Sequence, residues 1–201
     1  MKKTAFIFCL IIGTYIFQSC NNESSNKDSV DKAKDLNAQN DTEVIINKND
    51  SVQVSKLLVT KDAADFAVTA TNTCMTQIAL SKLAKHNAAS QRVKDFATMI
   101  IQDNRDAVKK LKALASAKNI SLPTKVSDDS QKKIDTLKIK KGFDFDKRYI
   151  EMMIEEHNKT TDDFKEAGNE FKDPDIQNFI ALILPKLLLH IDYAKAIGDK
   201  K

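Results

Sequence analysis

Residues 143–167, FDFDKRYIEMMIEEHNKTTDDFKEA, decide the fold. Phe145, Tyr149, Met152, Glu156, Thr160, Phe164 and Ala167 recur at steps of three and four, which is the spacing of one helix face. Between them lie Asp, Lys, Arg and Glu, so the opposite face is built for water. The expected helix begins near Asp144 as N-cap and runs to about Phe171.

The same pattern extends to both sides. Downstream, Asp173-Pro174 reads as a cap followed by Pro at the first helical position. Ile176, Ile180, Ile183, Leu187, His190, Ala194 and Ile197 then form a stripe, with Pro185 inside it. Upstream, one helix is expected over about 62–87, with the stripe Phe66, Ala70, Thr73, Gln77, Leu80 and Ala84. A second is expected over about 90–118, capped by Ser90, with Val93, Ala97, Ile100, Asn104, Val108, Leu111 and Ala115. A short helix over about 127–139, ended by Gly142, fills the connection before the third long helix. Four amphipathic helices of this length bury their stripes against one another as an antiparallel bundle. Four Gly, three Pro and no Trp in 201 residues argue against an all-β sandwich or barrel.

Residues 1–20, MKKTAFIFCLIIGTYIFQSC, read as an address. Lys2 and Lys3 form a basic start, and Ala5 to Phe17 is apolar but shorter than the roughly 20 residues of a membrane-spanning helix. Ser19-Cys20 then resembles a bacterial lipobox, which makes Cys20 the expected lipidation site and 1–19 a signal peptide. The lack of an aspartate next to Cys20 points to the outer membrane, facing the periplasm. Residues 20–58 are polar, rich in Asn, Asp, Ser and Lys, and are expected to be a disordered tether with a typical span of about 35 Å. The bundle domain is expected over 59–198. Loss of Lys2 and Lys3 leaves 30 basic against 28 acidic residues, too balanced to suggest nucleic acid as a partner. Cys74 is the one cysteine of the expected folded part, so a disulfide framework within it is excluded.

Polar residues interrupt the apolar stripes. Gln77, Asn104, Glu156 or His157, and His190 fall at or beside core positions, one per long helix. A buried polar group costs a few kcal/mol unless it is paired, so these groups are expected to meet. Adjacent Glu156 and His157 lie about 100° apart on a helix, so both cannot point at the axis. His190 is expected to pair with an acid such as Glu156, His86 to be solvated at a helix end, and Cys74 to act as a small hydrophobe. No Gly-x-Ser-x-Gly elbow, phosphate-cradling Gly loop or His-Glu-x-x-His motif is present.

The pieces IALSKLAKHNAASQRVKDFATMIIQDN (78–104), LKALASAKNISLP (111–123), FDFDKRYIEMMIEEHNKT (143–160) and LPKLLLHIDYA (184–194) together resemble the bacterial family called domain of unknown function 4142, described as predicted outer membrane proteins with a ferritin-like bundle. The resemblance implies an all-α, ferritin-like antiparallel four-helix bundle with the extra short helix between helices two and three. The family pattern has an acid where Gln77 stands and Asp-His where this chain has Asp103-Asn104, so two of its polar positions are amides here. Amides are weak metal ligands. Two readings follow. The first is a non-enzymatic envelope lipoprotein, anchored in membrane lipid through acylated Cys20, whose bundle binds or scaffolds an envelope partner, with a link to stress tolerance. The second is a metal-binding or ferritin-like redox protein holding a first-row transition metal at Asp103, Glu156, His157 and His190, in a core where Gln77 and Asn104 have replaced stronger ligands.

Overall fold

The computed structural model describes residues 27–43 and 60–199. The signal peptide, Cys20 and the groups Val44-Ile45-Ile46 and Leu57-Leu58-Val59 lie outside them. Among the described residues the chain is all-helical. The helices are α1 (Ser29–Glu43), α2 (Lys61–Asn87), α3 (Gln91–Lys118), α4 (Asp128–Lys138), α5 (Gly142–Glu170) and α6 (Pro174–Gly198). None is long and apolar enough to cross a membrane.

Local chemistry sets most of the helix ends. Thr60 caps α2 by accepting the Ala63 N–H. The Ser127 hydroxyl does the same for Ser130 at the start of α4. Asp173 accepts from the Asp175 and Ile176 N–H groups, with Pro174 at the first position of α6. Asn119 ends α3 in the left-handed conformation, φ 56°, which Asn tolerates better than most residues. Pro185 lies within α6 without ending it.

Three boundaries differ from the sequence expectation. Gly142 does not end the short helix, which stops at Lys138; it opens α5 with φ +55°. Asp144 is therefore inside the first turn of α5 and Lys141 is the N-cap. Ser90 stands at the N-cap of α3, but its hydroxyl makes no capping bond. Asp146 of α5 caps that turn from across the fold, accepting the Ala89 N–H at 2.9 Å and the Ser90 N–H at 2.7 Å.

The larger difference is α1, which falls inside the stretch expected to be a disordered tether. Its polar composition gives no stripe to read. Among its residues whose burial is described, Ala33 and Asn37 are buried; hydrogen bonds to residues 121–128, distant in sequence, seat it, and it packs along α2.

The four long helices pack α2 on α3 and α5 on α6, and the pairs meet through α2 with α5 and α3 with α6. Asp146 holds the start of α3 beside the start of α5. The salt bridge from Lys118 to Asp173 ties the end of α3 to the connection after α5. The two middle long helices thus run in the same direction, and the 119–141 connection with α4 carries the chain back along the outside of α2. The interior divides into two apolar clusters. One gathers Leu80, Phe96, Ile100, Leu137, Phe145, Tyr149 and Met153. The other gathers Cys74, Leu111, Phe164, Ile176, Phe179 and Leu187. A layer of polar side chains lies between them.

Candidate functional site

Each long helix contributes one buried polar side chain to this layer: Gln77 from α2, Asn104 from α3, His157 from α5 and His190 from α6, none more than 7% exposed. The stripe on α5 steps through Met153, His157, Thr160 and Phe164, all buried. That phase puts His157 inside and turns Glu156 outward, where it forms a salt bridge with Lys133 of α4. The acid that meets His190 is Asp103, not Glu156.

Asp103 and Asn104 connect the layer through α3. Asn104 Nδ2 donates to Gln77 Oε1 and to the Ile100 carbonyl, both at 3.0 Å. One residue earlier, Asp103 Oδ2 lies 2.9 Å from His190 Nε2. His190 Nδ1 lies 3.1 Å from His157 Nε2, and His157 Nδ1 lies 2.8 Å from the Met153 carbonyl oxygen. Lys186, one turn before His190, donates to the other oxygen of Asp103. Three helices are thus joined by one chain of contacts, and Asp103 is its link to solvent.

The ends of the chain fix its proton count. A backbone carbonyl only accepts, so His157 carries its proton on Nδ1 and presents Nε2 as an acceptor. His190 then donates from Nδ1. With one proton per neutral ring, His190 Nε2 faces the Asp103 carboxylate with a lone pair. Two neutral imidazoles supply two protons for three contacts, and a third proton completes the set. Burial opposes taking it up. It pulls the His157 pKa down to about 3, assisted by the neighbouring His190 ring. Burial also lowers His190, outweighing the pull of Asp103 in the other direction. Burial pushes the Asp103 carboxyl up, but the hydrogen bond and charge of Lys186, joined by His190 when that ring takes the third proton, more than offset this and hold it below the ordinary value.

This count predicts the effect of Asp103→Asn. Asparagine offers an N–H to His190 Nε2 and keeps an oxygen for Lys186, so neutral groups satisfy all three contacts. Urea unfolding at pH 7 should place this variant within about 1 kcal/mol of the parent, whereas Asp103→Ala should lose about 2–3 kcal/mol by leaving buried partners unsatisfied. Equal losses would contradict the count.

Outside this layer, a second buried polar contact joins two helices. Tyr149 and Ser81 share a hydrogen bond of 2.8 Å between α5 and α2. Burial pushes the Tyr149 hydroxyl well above its ordinary pKa. Cys74 is a free thiol in the second apolar cluster, pushed up to about 12 by burial, so it stays protonated and unreactive. His86 is exposed in the last turn of α2.

The four candidate metal ligands do not converge as placed. Glu156 is engaged outside the layer. All four ring nitrogens of His157 and His190 face a protein partner, so a metal would have to displace one of them. Among the described residues no three His, Cys, Asp or Glu side chains gather as a ligand set. The layer as built ties helices together, and its ionisable groups are turned toward one another. Asp103, offered only as a candidate ligand, and Asp146 and Ser81, not singled out at all, are partners across the fold that residue spacing did not reveal. Asp103 sits one residue off the α3 stripe, and its link to His190 crosses 87 residues.

A family model described as "Domain of unknown function (DUF4142)" matches residues 49–197, and the chain belongs to that family. No curated protein and no solved structure matches the chain.

Proposed function

We propose, for this member of a family whose description assigns no activity, that the protein is a lipid-anchored module of the bacterial cell envelope that works by binding or scaffolding and not by catalysis. The observation that carries this reading is the use of the buried polar groups. His157, His190 and Asp103 meet one another, Asp146 caps a backbone turn, and Tyr149 meets Ser81. Each holds two elements together, and none is poised beside a second reactive group at an open cleft. The paired directions of the long helices support reading the domain as an antiparallel bundle of the ferritin-like kind with a crossover between its halves.

The anchor rests on the first twenty residues. Lys2, Lys3, the apolar run Ala5 to Phe17 and Ser19-Cys20 support cleavage and acylation at Cys20, with the outer membrane as destination. Several acyl chains supply the durable attachment that a single chain lacks. Cys20→Ser is expected to move the protein from the membrane fraction to the soluble fraction or to block its processing, read by fractionation and mass spectrometry of the mature N-terminus. Unchanged attachment of the variant would refute the anchor.

The competing reading, a first-row metal bound at the polar layer, is favoured only by the approach of Asp103, His190 and His157. Elemental analysis of the purified full chain separates the two. Stoichiometric iron, manganese, zinc or copper that disappears in His157→Ala or His190→Ala would replace the scaffold reading.

A further inference from the structure

We infer that α1 is a clasp that shortens the leash between the lipid anchor and the domain, so that the domain is held close to the membrane surface; this rests on acylation at Cys20 as proposed above. The helix lies outside the residues matched by the family model, 49–197.

Its seating is specific. Asp28 caps α1 by accepting the Val30 N–H at 2.7 Å and the Asp31 N–H at 3.1 Å. Its second carboxylate oxygen accepts the Asp128 N–H at the start of α4. Ser29 Oγ accepts the Thr124 and Lys125 N–H groups at 2.9 and 3.1 Å. Asn37, 4% exposed, grips Ser121 in both directions: Nδ2 donates to the Ser121 carbonyl at 3.1 Å, and Oδ1 accepts the Ser121 N–H at 2.7 Å. Ala33 is buried between these two grips. Together they fasten both halves of α1 to the connection between α3 and α4, while the helix packs along α2.

Chain length turns this seating into a distance. With α1 docked, the leash is the stretch from Cys20 to Asp28, eight peptide steps, which reach about 28 Å at most. Without it the leash would run from Cys20 to Thr60, with a ceiling of about 140 Å. Docking therefore confines the start of α1 to within about 28 Å of the anchor. It also points the start of α1 and the 121–128 connection toward the anchor.

The test uses the full lipidated chain on a supported bilayer, with protein height read by neutron reflectometry. A twenty-residue Gly-Ser insertion between Asn22 and Glu23 should raise the domain by on the order of 10 Å, because a flexible Gly-Ser insert lengthens the leash. The same insertion between Asp50 and Ser51 lies beyond the clasp and should leave the height unchanged. Equal rises from both insertions would overturn the clasp, as would no rise from either. Failure of the anchor is read separately, because a Cys20→Ser chain that stays on the bilayer refutes acylation. In that same variant, slow amide exchange across α1 supports docking and fast exchange across α1 overturns it.

Discussion

Acidifying the protein from pH 6.5 to pH 4 is expected to remove about 3 kcal/mol of folding stability through His157 alone. The ring is 1% exposed, and burial brings its pKa down to about 3 from an ordinary value of 6.5. A base with a depressed pKa is neutral in the fold and gains a proton more readily when unfolded. Its contribution is therefore complete above pH 6.5 and declines by about 1.4 kcal/mol per unit as pH falls toward 3. His190 is lowered for the same main reason and adds to the loss in the same direction. Asp103, held low chiefly by Lys186, adds its share only below the ordinary carboxylate range. Urea unfolding at a series of pH values would measure the slope. His157→Gln keeps a polar side chain but does not titrate, so it should flatten the curve between pH 6.5 and 4. An identical slope in parent and variant would mean that the His157 ring is not a buried neutral group.

Asp146→Ala is expected to cost about 3 kcal/mol, far more than Ser90→Ala, which should cost about 0.5 kcal/mol or less. Asp146 is 6% exposed and its two oxygens hold the N–H groups of Ala89 and Ser90. Hydrogen bonds to a charged partner contribute roughly 1.5–3 kcal/mol each, and this pair lies where water can replace part of the loss. The Ser90 hydroxyl makes no capping bond. The usual reading of Ser before a helix predicts the opposite order, with a cap worth about 1 kcal/mol at Ser90. Thermal or urea unfolding of the two single variants decides between them.

That contrast marks how far residue order reaches in this molecule. Periodicity locates the long helices within a residue or two, because apolar side chains at three- and four-residue steps allow one buried face. It also brings Gln77, Asn104, His157 and His190 to the interior. The choice between Glu156 and His157 needed the local phase, and Met153 with Thr160 and Phe164 set it in favour of His157. Partnerships across the fold left no periodic trace. Asp103 sits beside its stripe and not on it, and Asp146 acts on a turn more than fifty residues away. For α1 the reason is different. A helix seated by Asp28, Ser29 and Asn37 needs no apolar stripe, so its sequence looks like that of a polar linker.

Everything at the polar layer depends on buried imidazoles that are neutral and ordered, with the His157 proton on Nδ1. Long-range proton–nitrogen NMR of histidine-labelled protein across pH 5–8 tests this directly. The expected result is a neutral His157 ring throughout, with its Nδ1 protonated and its Nε2 bare. A His157 ring that titrates near pH 6.5, or that carries its proton on Nε2 at pH 7, would contradict it.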